Sequence, residues 1–163
     1  MIRRLIVMRH AKSSWDSSIG SDHERPLDGR GRKDAPRIGA DLVQRGWIPD
    51  LVLSSDAQRT RETFAGLSES FTGKVEARFL SSFYLAGPRA AGEEVAQLEG
   101  AVSCVLLLGH NPGWESLVEA LSGEAVVMKP ATAALLALEL DDWPGALQAG
   151  KWKLKGVIFP RET

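Results

Sequence analysis

The sequence predicts an α/β fold, a three-layer α/β/α sandwich around a mixed, mainly parallel sheet. Short apolar segments of strand length alternate along the chain with longer stretches of helical periodicity. The segment Val102–Leu108 is apolar at almost every position, which is typical of a strand buried on both faces of a sheet. The 163 residues suffice for one hydrophobic core, so we expect a single domain over residues 1–163.

The first predicted strand, at about Arg3–Met8, ends in the charged pair Arg9-His10. A long polar loop follows, and long loops in compact domains usually carry function or lack fixed structure. A helix is predicted over Gly29–Gln44, with Gly46 as its C-terminal stop. Pro36 lies inside this helix, so we expect a kink or a later helix start.

The second strand is predicted at Asp50–Ser55. We expect Ser55 or Asp56 to cap the next helix, which continues to about Leu67, because their side-chain oxygens accept hydrogen bonds from free N–H groups at a helix start. Val102–Leu108 is the predicted central strand. The remaining segments are a short strand at Val75–Phe79, a weak helix at Arg89–Leu98, a helix at Trp114–Leu121 ended by Gly123, and closing strands at Ala133–Leu140 and Lys151–Ile158. Lysines alternate with apolar residues in the last strand, which predicts a sheet edge.

The overall composition argues against several classes of partner. A net charge of −1 and a pI of about 6.3 give no general attraction to nucleic acid or to an anionic membrane. No apolar run approaches the roughly 18 residues of a membrane span. The single cysteine, Cys104, excludes an internal disulfide, and its apolar neighbours predict a buried structural thiol. We therefore expect a cytoplasmic monomer.

Four side chains that bind or attack phosphate follow three of the predicted strands. Arg9 and His10 come after the first strand, Arg59 just after the second, and His110 after the central one. Because parallel strands end at one edge of a sheet, these side chains could surround a single phosphate. Residues 1–61 also carry 12 Lys and Arg against 8 Asp and Glu. The sequence therefore predicts an anion site built mostly from the first third of the chain.

The motifs around these residues resemble those of the histidine phosphatase superfamily, the phosphoglycerate-mutase-like group. The resemblance covers nearly the whole chain in order, and Ala11 and the segment from Glu24 through Leu27 are similar to the SixA-type phosphohistidine phosphatase branch. It implies a phosphoglycerate-mutase-like fold. The motifs are Arg9-His10-Ala11, Ser55-Asp56-Ala57-Gln58-Arg59-Thr60-Arg61-Glu62-Thr63 and Gly109-His110-Asn111-Pro112-Gly113.

The resemblance implies a role for each matching residue. His10 would be the nucleophile that forms a phosphohistidine intermediate, and Arg9, Arg59 and His110 would bind the phosphate. Guanidinium groups suit this role because they contact two phosphate oxygens at once and keep a nearby imidazole neutral. A bound dianion would in turn favour the protonated, donating form of His110. Arg25, in the long loop, could also reach the phosphate.

One departure from the larger family bears on the substrate. Mutases and ester phosphatases of this group usually carry a glutamate after the third strand that protonates an alkoxide leaving group. The corresponding stretch here, Ser81–Leu85, contains no carboxylate. An imidazole leaves phosphohistidine more easily than an alcohol leaves an ester, because a ring nitrogen can carry the proton. This favours phosphohistidine as the substrate, although Asp16, Asp22 and Glu24 remain candidate acids.

We therefore expect a metal-independent, cofactor-free phosphatase acting on phosphohistidine in a protein, with a histidine phosphotransfer domain in signal transduction as one candidate. A phosphatase of small phosphate esters and a non-catalytic phosphate-binding module are the alternatives. A zinc site of His10, His23 and His110 is disfavoured because Arg9 would repel a dication. A cysteine phosphatase loop starting at Cys104 would need arginine where His110 stands.

Overall fold

The alternation of strands and helices predicted from the sequence is confirmed in a computed structural model, which describes residues 1–16, 18, 20–147 and 150–160. Residues 17, 19, 148, 149 and 161–163 of the predicted domain lie outside the described part. The element bounds differ from the predicted ones by a few residues. The strands are β1 (Ile2–Arg9), β2 (Leu51–Ser55), β3 (Glu76–Leu80), β4 (Cys104–Gly109), β5 (Ala133–Glu139) and β6 (Lys153–Ile158). The helices are α1 (Gly29–Gln44), α2 (Gln58–Ser68), α3 (Pro88–Val95) and α4 (Gly113–Ser122), with a 3-10 turn at Ser81–Phe83.

The six strands form one sheet in the order β3-β2-β4-β1-β5-β6. β3, β2, β4 and β1 are mutually parallel, whereas β5 runs antiparallel to both β1 and β6. The sheet is therefore mixed and mainly parallel, as predicted. β4 lies between β2 and β1, and all six of its residues are buried. β6 is at the edge, as its alternating lysines indicate.

Helices cover both faces of the sheet and complete three layers. Alternate residues of β1 enter different cores, since Leu5 and Val7 pack on one face and Ile6 and Met8 on the other. Apolar side chains of α3 and α4 join Leu5 and Val7, together with Trp143 and Trp152. Apolar side chains of α1 and α2 cover the opposite face. In the described part of the chain, no helix is long and apolar enough to cross a membrane.

The predicted bounds of α1, Gly29–Gln44, are confirmed. Of the two effects expected from Pro36, the late helix start is wrong, and the kink stays a prediction. The helix begins at Gly29 because the Asp28 side chain accepts a hydrogen bond of 2.8 Å from the backbone N–H of Gly31. Pro36 lies inside the helix, where it removes one backbone donor. Its neighbours Ala35 and Ile38 are buried in the core. Tertiary packing and the N-terminal cap thus outweigh the local effect of one proline.

The predicted capping of α2 is also wrong. The N-cap residue is Ala57, and no side chain caps the helix there. Ser55 still belongs to β2, where its hydroxyl lies 2.7 Å from Nε2 of His110. The carboxylate of Asp56 lies 2.9 Å from Nε2 of His23. The Ser55 hydroxyl also accepts from the N–H of the N-cap residue Ala57 (3.3 Å), but neither side chain caps the first turn of α2.

Candidate active site

Three parallel strands end side by side at one edge of the sheet. Arg9, the last residue of β1, pairs with Gly109, the last residue of β4, and Ser55 of β2 ends at the same level. The side chains that follow, His10 and His110, are almost fully buried, and their rings lie 5.4 Å apart. The structure thus brings Arg9, His10, Arg59 and His110 together in the wall of one pocket of about 390 Å³.

His10 is held by its backbone and by its ring. The backbone N–H of His10 donates to the carbonyl of Gly109 (3.0 Å), and the backbone carbonyl of His10 accepts from the N–H of Ala131 (2.9 Å). Nδ1 of the ring lies 2.7 Å from the carbonyl oxygen of Ala11. Because a carbonyl oxygen only accepts, Nδ1 carries the proton of the neutral ring, and Nε2 keeps its lone pair.

The protonation state of His10 follows from its surroundings. The pKa of His10 is lowered to about 3, mainly by burial, and the nearby positive charges of Arg59 and Arg9 act in the same direction. The bond to Ala11 opposes this effect but does not outweigh it. At neutral pH the ring is uncharged, which is the form that acts as a nucleophile.

Arg9 and Arg59 each use some of their guanidinium N–H groups in hydrogen bonds within the protein and keep others for a ligand. Arg59 donates from Nη1 to the carbonyl of Asp22 (2.8 Å), and Arg9 donates from Nη1 to the carbonyl of Met128 (3.0 Å). Within the described part of the chain, the buried Nε atoms of both arginines have no hydrogen-bond partner. Buried N–H groups without partners are costly, and anionic oxygens satisfy them strongly. The pocket is therefore suited to a phosphate.

The ring of His110 is fixed by two different partners. Nη2 of Arg59, which can only donate, lies 3.3 Å from Nδ1, so Nδ1 accepts and Nε2 donates to the Ser55 hydroxyl. Burial, together with the charge of Arg59, lowers the pKa of His110 to about 4. His110 is thus neutral at pH 7. The charged form expected from the sequence requires the dianion, which would counter both effects.

Asp22 connects Arg25 of the loop with Arg59 of α2. Its carboxylate accepts from Nη1 of Arg25 (2.7 Å), from Nη2 of Arg59 (3.1 Å) and from the hydroxyl of Tyr84. Burial raises the pKa of this carboxyl, but the bonds from Tyr84 and Arg25 and the charge of Arg59 lower it well below its usual range. Asp22 is ionised at neutral pH and carries no proton for a leaving group.

The other two candidate acids, Asp16 and Glu24, are not among the residues that line this pocket. The exposed Asp16 accepts from the N–H of Ser18 (2.9 Å), and this bond lowers the pKa of its carboxyl. Glu24 accepts from the Ser21 hydroxyl (2.9 Å). Of the three carboxylates considered from the sequence, only Asp22 reaches the pocket.

Arg25 lies in the pocket wall, and its guanidinium is almost fully engaged. Nε donates to the carbonyl of Ser14 (2.9 Å), Nη2 donates to the Ser13 hydroxyl, and Nη1 binds Asp22. The guanidinium carbon lies 3.3 Å from the centre of the Trp15 ring. Arg25 therefore links Ser13 and Ser14 to Asp22 within the loop and orients the Asp22 carboxylate. Contact of Arg25 with phosphate stays a prediction.

Tyr84 is a site residue that the sequence analysis missed. Its hydroxyl donates to Asp22, and its ring stands edge-on to that of His110 at 5.5 Å. The sequence did contain a clue to this role, because Tyr84 is the only tyrosine of the chain and follows the third predicted strand. Its contact with Asp22 spans 62 positions, so no local pattern could reveal it.

The three histidines do not form one cluster. Nε2 of His23 lies 2.9 Å from Asp56, and its ring lies 4.9 Å from that of Tyr84. Among the described residues, no group of three His, Cys, Asp or Glu side chains could hold a metal ion. Cys104 is buried, as predicted, and burial raises the pKa of its thiol to about 12, so it stays protonated and inert.

Comparisons with known proteins agree with this geometry. Residues 5–79, which include Arg9, His10 and Arg59, match the profile of the histidine phosphatase superfamily (branch 1). An uncharacterised chloroplastic protein of Arabidopsis thaliana is 39% identical over 171 residues, which cover 97% of this chain and 78% of that protein. A structure assigned to phosphohistidine phosphatase SixA of Agrobacterium tumefaciens is 27% identical, with a TM-score of 0.82 over 97% of this chain and 98% of that one. Another, assigned to SixA of Nakamurella multipartitia, is 30% identical, with a TM-score of 0.81 over 98% and 97%.

Proposed function

This chain belongs to the histidine phosphatase superfamily and is of the SixA type, and on that premise we propose that it is a metal-independent phosphohistidine phosphatase acting on a protein. One observation carries the proposal. A neutral His10 with a free lone pair on Nε2 shares a pocket with two arginines whose buried Nε donors have no partner in the described chain.

In the first step, Nε2 of His10 attacks the phosphorus atom of the substrate phosphohistidine. The P–N bond to the substrate imidazole breaks as a new P–N bond forms on His10. Arg9, Arg59 and His110 stabilise the charge on the phosphoryl oxygens in the transition state, where each such donor is worth roughly 2–4 kcal/mol. The departing imidazole takes up a proton from water.

In the second step, water attacks the phosphorus atom on His10 and the P–Nε2 bond breaks. Inorganic phosphate leaves with the oxygen and one proton of that water, and the other proton passes to solvent, which replaces the one taken up in the first step. Nε2 regains its lone pair, while Nδ1 keeps its proton and its bond to Ala11 throughout. Neither step requires a carboxylic acid. Among the described residues that line the pocket, the only acidic side chain is Asp22, which is ionised. A leaving group that carries its own basic nitrogen fits such a site better than an alcohol.

The protein substrate, for which a histidine phosphotransfer domain is the candidate, follows from the proposed specificity, since phosphohistidine is a modified side chain of proteins. We also propose that the chain acts as a monomer in the cytoplasm. The buried free thiol of Cys104 suits a reducing compartment of this kind.

The test is turnover of a phosphohistidine peptide and of p-nitrophenyl phosphate, with EDTA present. We expect release of phosphate from the peptide, unchanged by EDTA, and complete loss of activity in His10→Ala. Release from neither substrate would refute the enzymatic function. Cleavage of the ester with no action on the peptide would refute the substrate.

A further inference from the structure

Trp15, in the long loop after β1, lies at the mouth of the catalytic pocket. It lines the pocket together with Leu85, and the two side chains are 80% and 59% exposed although both are large and apolar. His10 and His110, which line the same pocket, are almost fully buried. The pocket thus runs from a buried polar end to an apolar rim, and exposed apolar side chains at such a rim mark a surface that a ligand covers.

The ring of Trp15 is held in place by its neighbours in the loop. The backbone N–H of Ser14 donates to the carbonyl of Pro26 (2.8 Å), which fixes the chain just before Trp15. The guanidinium of Arg25, itself held by three hydrogen bonds, covers one face of the Trp15 ring. Because most of the side chain is exposed, the other face of the ring is open. A ring fixed in this way loses little conformational entropy when a ligand binds to it.

The direction of phosphoryl transfer decides which part of the substrate meets Trp15. The attacking and leaving atoms lie on opposite sides of the phosphorus atom, roughly in line. The attacking atom is Nε2 of His10, at the buried end of the pocket. The leaving nitrogen and its ring therefore point toward the exposed end, where Trp15 lies.

We propose that Trp15 determines substrate specificity by stacking its open face against the imidazole ring of the substrate phosphohistidine. The inference rests on the proposed function, since it concerns the leaving group of that reaction. Aromatic rings attract each other when they stack with an offset, and an indole offers a large flat surface for this contact. The contact exists before and during the transfer, so it strengthens substrate binding more than it accelerates the chemical step. Arg25, behind the ring, is a positioning residue for Trp15.

The test compares two small substrates that carry the same phosphoryl group on a nitrogen atom. N-phosphorylimidazole contains the aromatic ring, phosphoramidate contains no ring, and neither contains a peptide. Trp15→Ala should lower kcat/KM for N-phosphorylimidazole about tenfold, mostly by raising KM, because the stacking contact is lost. The same variant should change kcat/KM for phosphoramidate by less than about twofold. A phosphohistidine peptide should show the loss seen with N-phosphorylimidazole.

Two further variants separate stacking from simple apolar contact. Trp15→Phe keeps a flat aromatic face and should retain kcat/KM for N-phosphorylimidazole within about threefold of the parent value. Trp15→Leu is apolar without such a face and should behave like Trp15→Ala. The matched control is Phe159→Ala, which removes another exposed aromatic side chain, one that follows β6 and is not among the residues lining the catalytic pocket. It should change the kinetics of neither substrate.

Unchanged kinetics of Trp15→Ala with N-phosphorylimidazole, or equal losses with N-phosphorylimidazole and phosphoramidate, would overturn the stacking proposal. A loss confined to the peptide would place Trp15 against a neighbouring residue of the protein substrate and overturn it as well. The same holds if Trp15→Leu is as active as Trp15→Phe. Failure of the proposed function looks different, since the parent protein would then release no phosphate from the phosphohistidine peptide.

Discussion

At the residue scale, the chemistry of the site depends on how two neutral histidines are oriented. Ala11 can only accept from Nδ1 of His10, and Arg59 can only donate to Nδ1 of His110, so the two rings hold opposite tautomers. His10 is thereby left with a lone pair on Nε2. The hydrogen bonds that select the tautomers come from a backbone carbonyl and from a distant arginine.

Burying two neutral histidines makes the stability of the fold depend on pH. The pKa values of His10 and His110 are about 3 and about 4 in the folded protein, below the usual value of 6.5. Between these values and 6.5 the unfolded chain binds more protons, so acid stabilises the unfolded state. From pH 7 to pH 5 the free energy of unfolding should fall by about 2 kcal/mol for each histidine.

Urea unfolding at the two pH values measures this effect. His10→Gln should lose about half of the pH dependence because one of the two buried imidazoles is gone. A free energy of unfolding that is constant from pH 7 to pH 5 would contradict the neutral state of these rings.

Asp22 is expected to act through the arginines that it holds. Asp22→Asn removes the charge that binds Arg25 and Arg59, so kcat/KM should fall about tenfold for both the phosphohistidine peptide and p-nitrophenyl phosphate. Glu24→Gln, a change of the same kind outside the pocket, should have no effect. A general acid would instead matter little for p-nitrophenol, which leaves readily without a proton. A loss confined to the peptide would therefore contradict the positioning role.

At the element scale, helix starts and tight contacts shape the site. α4 begins at Gly113, directly after the motif that carries His110, and a Cβ atom there would lie 1.8 Å from the carbonyl oxygen of Ala86. Only glycine at position 113 allows the start of α4 to lie this close to Ala86. The contact places Tyr84 beside His110 and Leu85 in the pocket wall. Leu85 lines the pocket with a φ of 52°, in the left-handed region.

Replacing this glycine tests the contact between the two segments. Gly113→Ala should lower the free energy of unfolding by about 1–3 kcal/mol, since the backbone of Ala86 must move. Gly92→Ala is the matched control, because a Cβ atom at that position of α3 meets nothing within 4 Å. It should be neutral or stabilise the fold by about 0.5–1 kcal/mol. Equal effects of the two substitutions in thermal unfolding would contradict the close contact.

Elements with strong local sequence patterns could be predicted. The predictions that failed did so because contacts between distant parts of the chain decide the structure there. The apolar run of β4 and the capping residue Asp28 act locally, whereas the partners of Ser55 and Asp56 are histidines distant in the chain. The proline inside α1 is tolerated because buried neighbours hold the helix. Local rules therefore failed where contacts between distant parts of the chain, in the site or in the core, decide the structure.

At the scale of the whole molecule, strand order decides which residues meet. β4 enters between β1 and β2, and this insertion places Arg9, Ser55 and Gly109 at one level. Parallel strands ending in reactive residues made the pocket predictable from the sequence. The bonds of Asp22 to Tyr84 and Arg59 were not predictable, because they join segments that meet only in the folded chain.

The measurement that tests the central claim most directly is identification of the phosphorylated atom during turnover. The enzyme is mixed with a phosphohistidine peptide, quenched in base to preserve the P–N bond, and analysed by mass spectrometry and phosphorus NMR. We expect one phosphoryl group on Nε2 of His10, since Nδ1 is protonated and bonded to Ala11. A label on Nδ1 or on another residue, or turnover with no phosphorylated enzyme, would contradict the account.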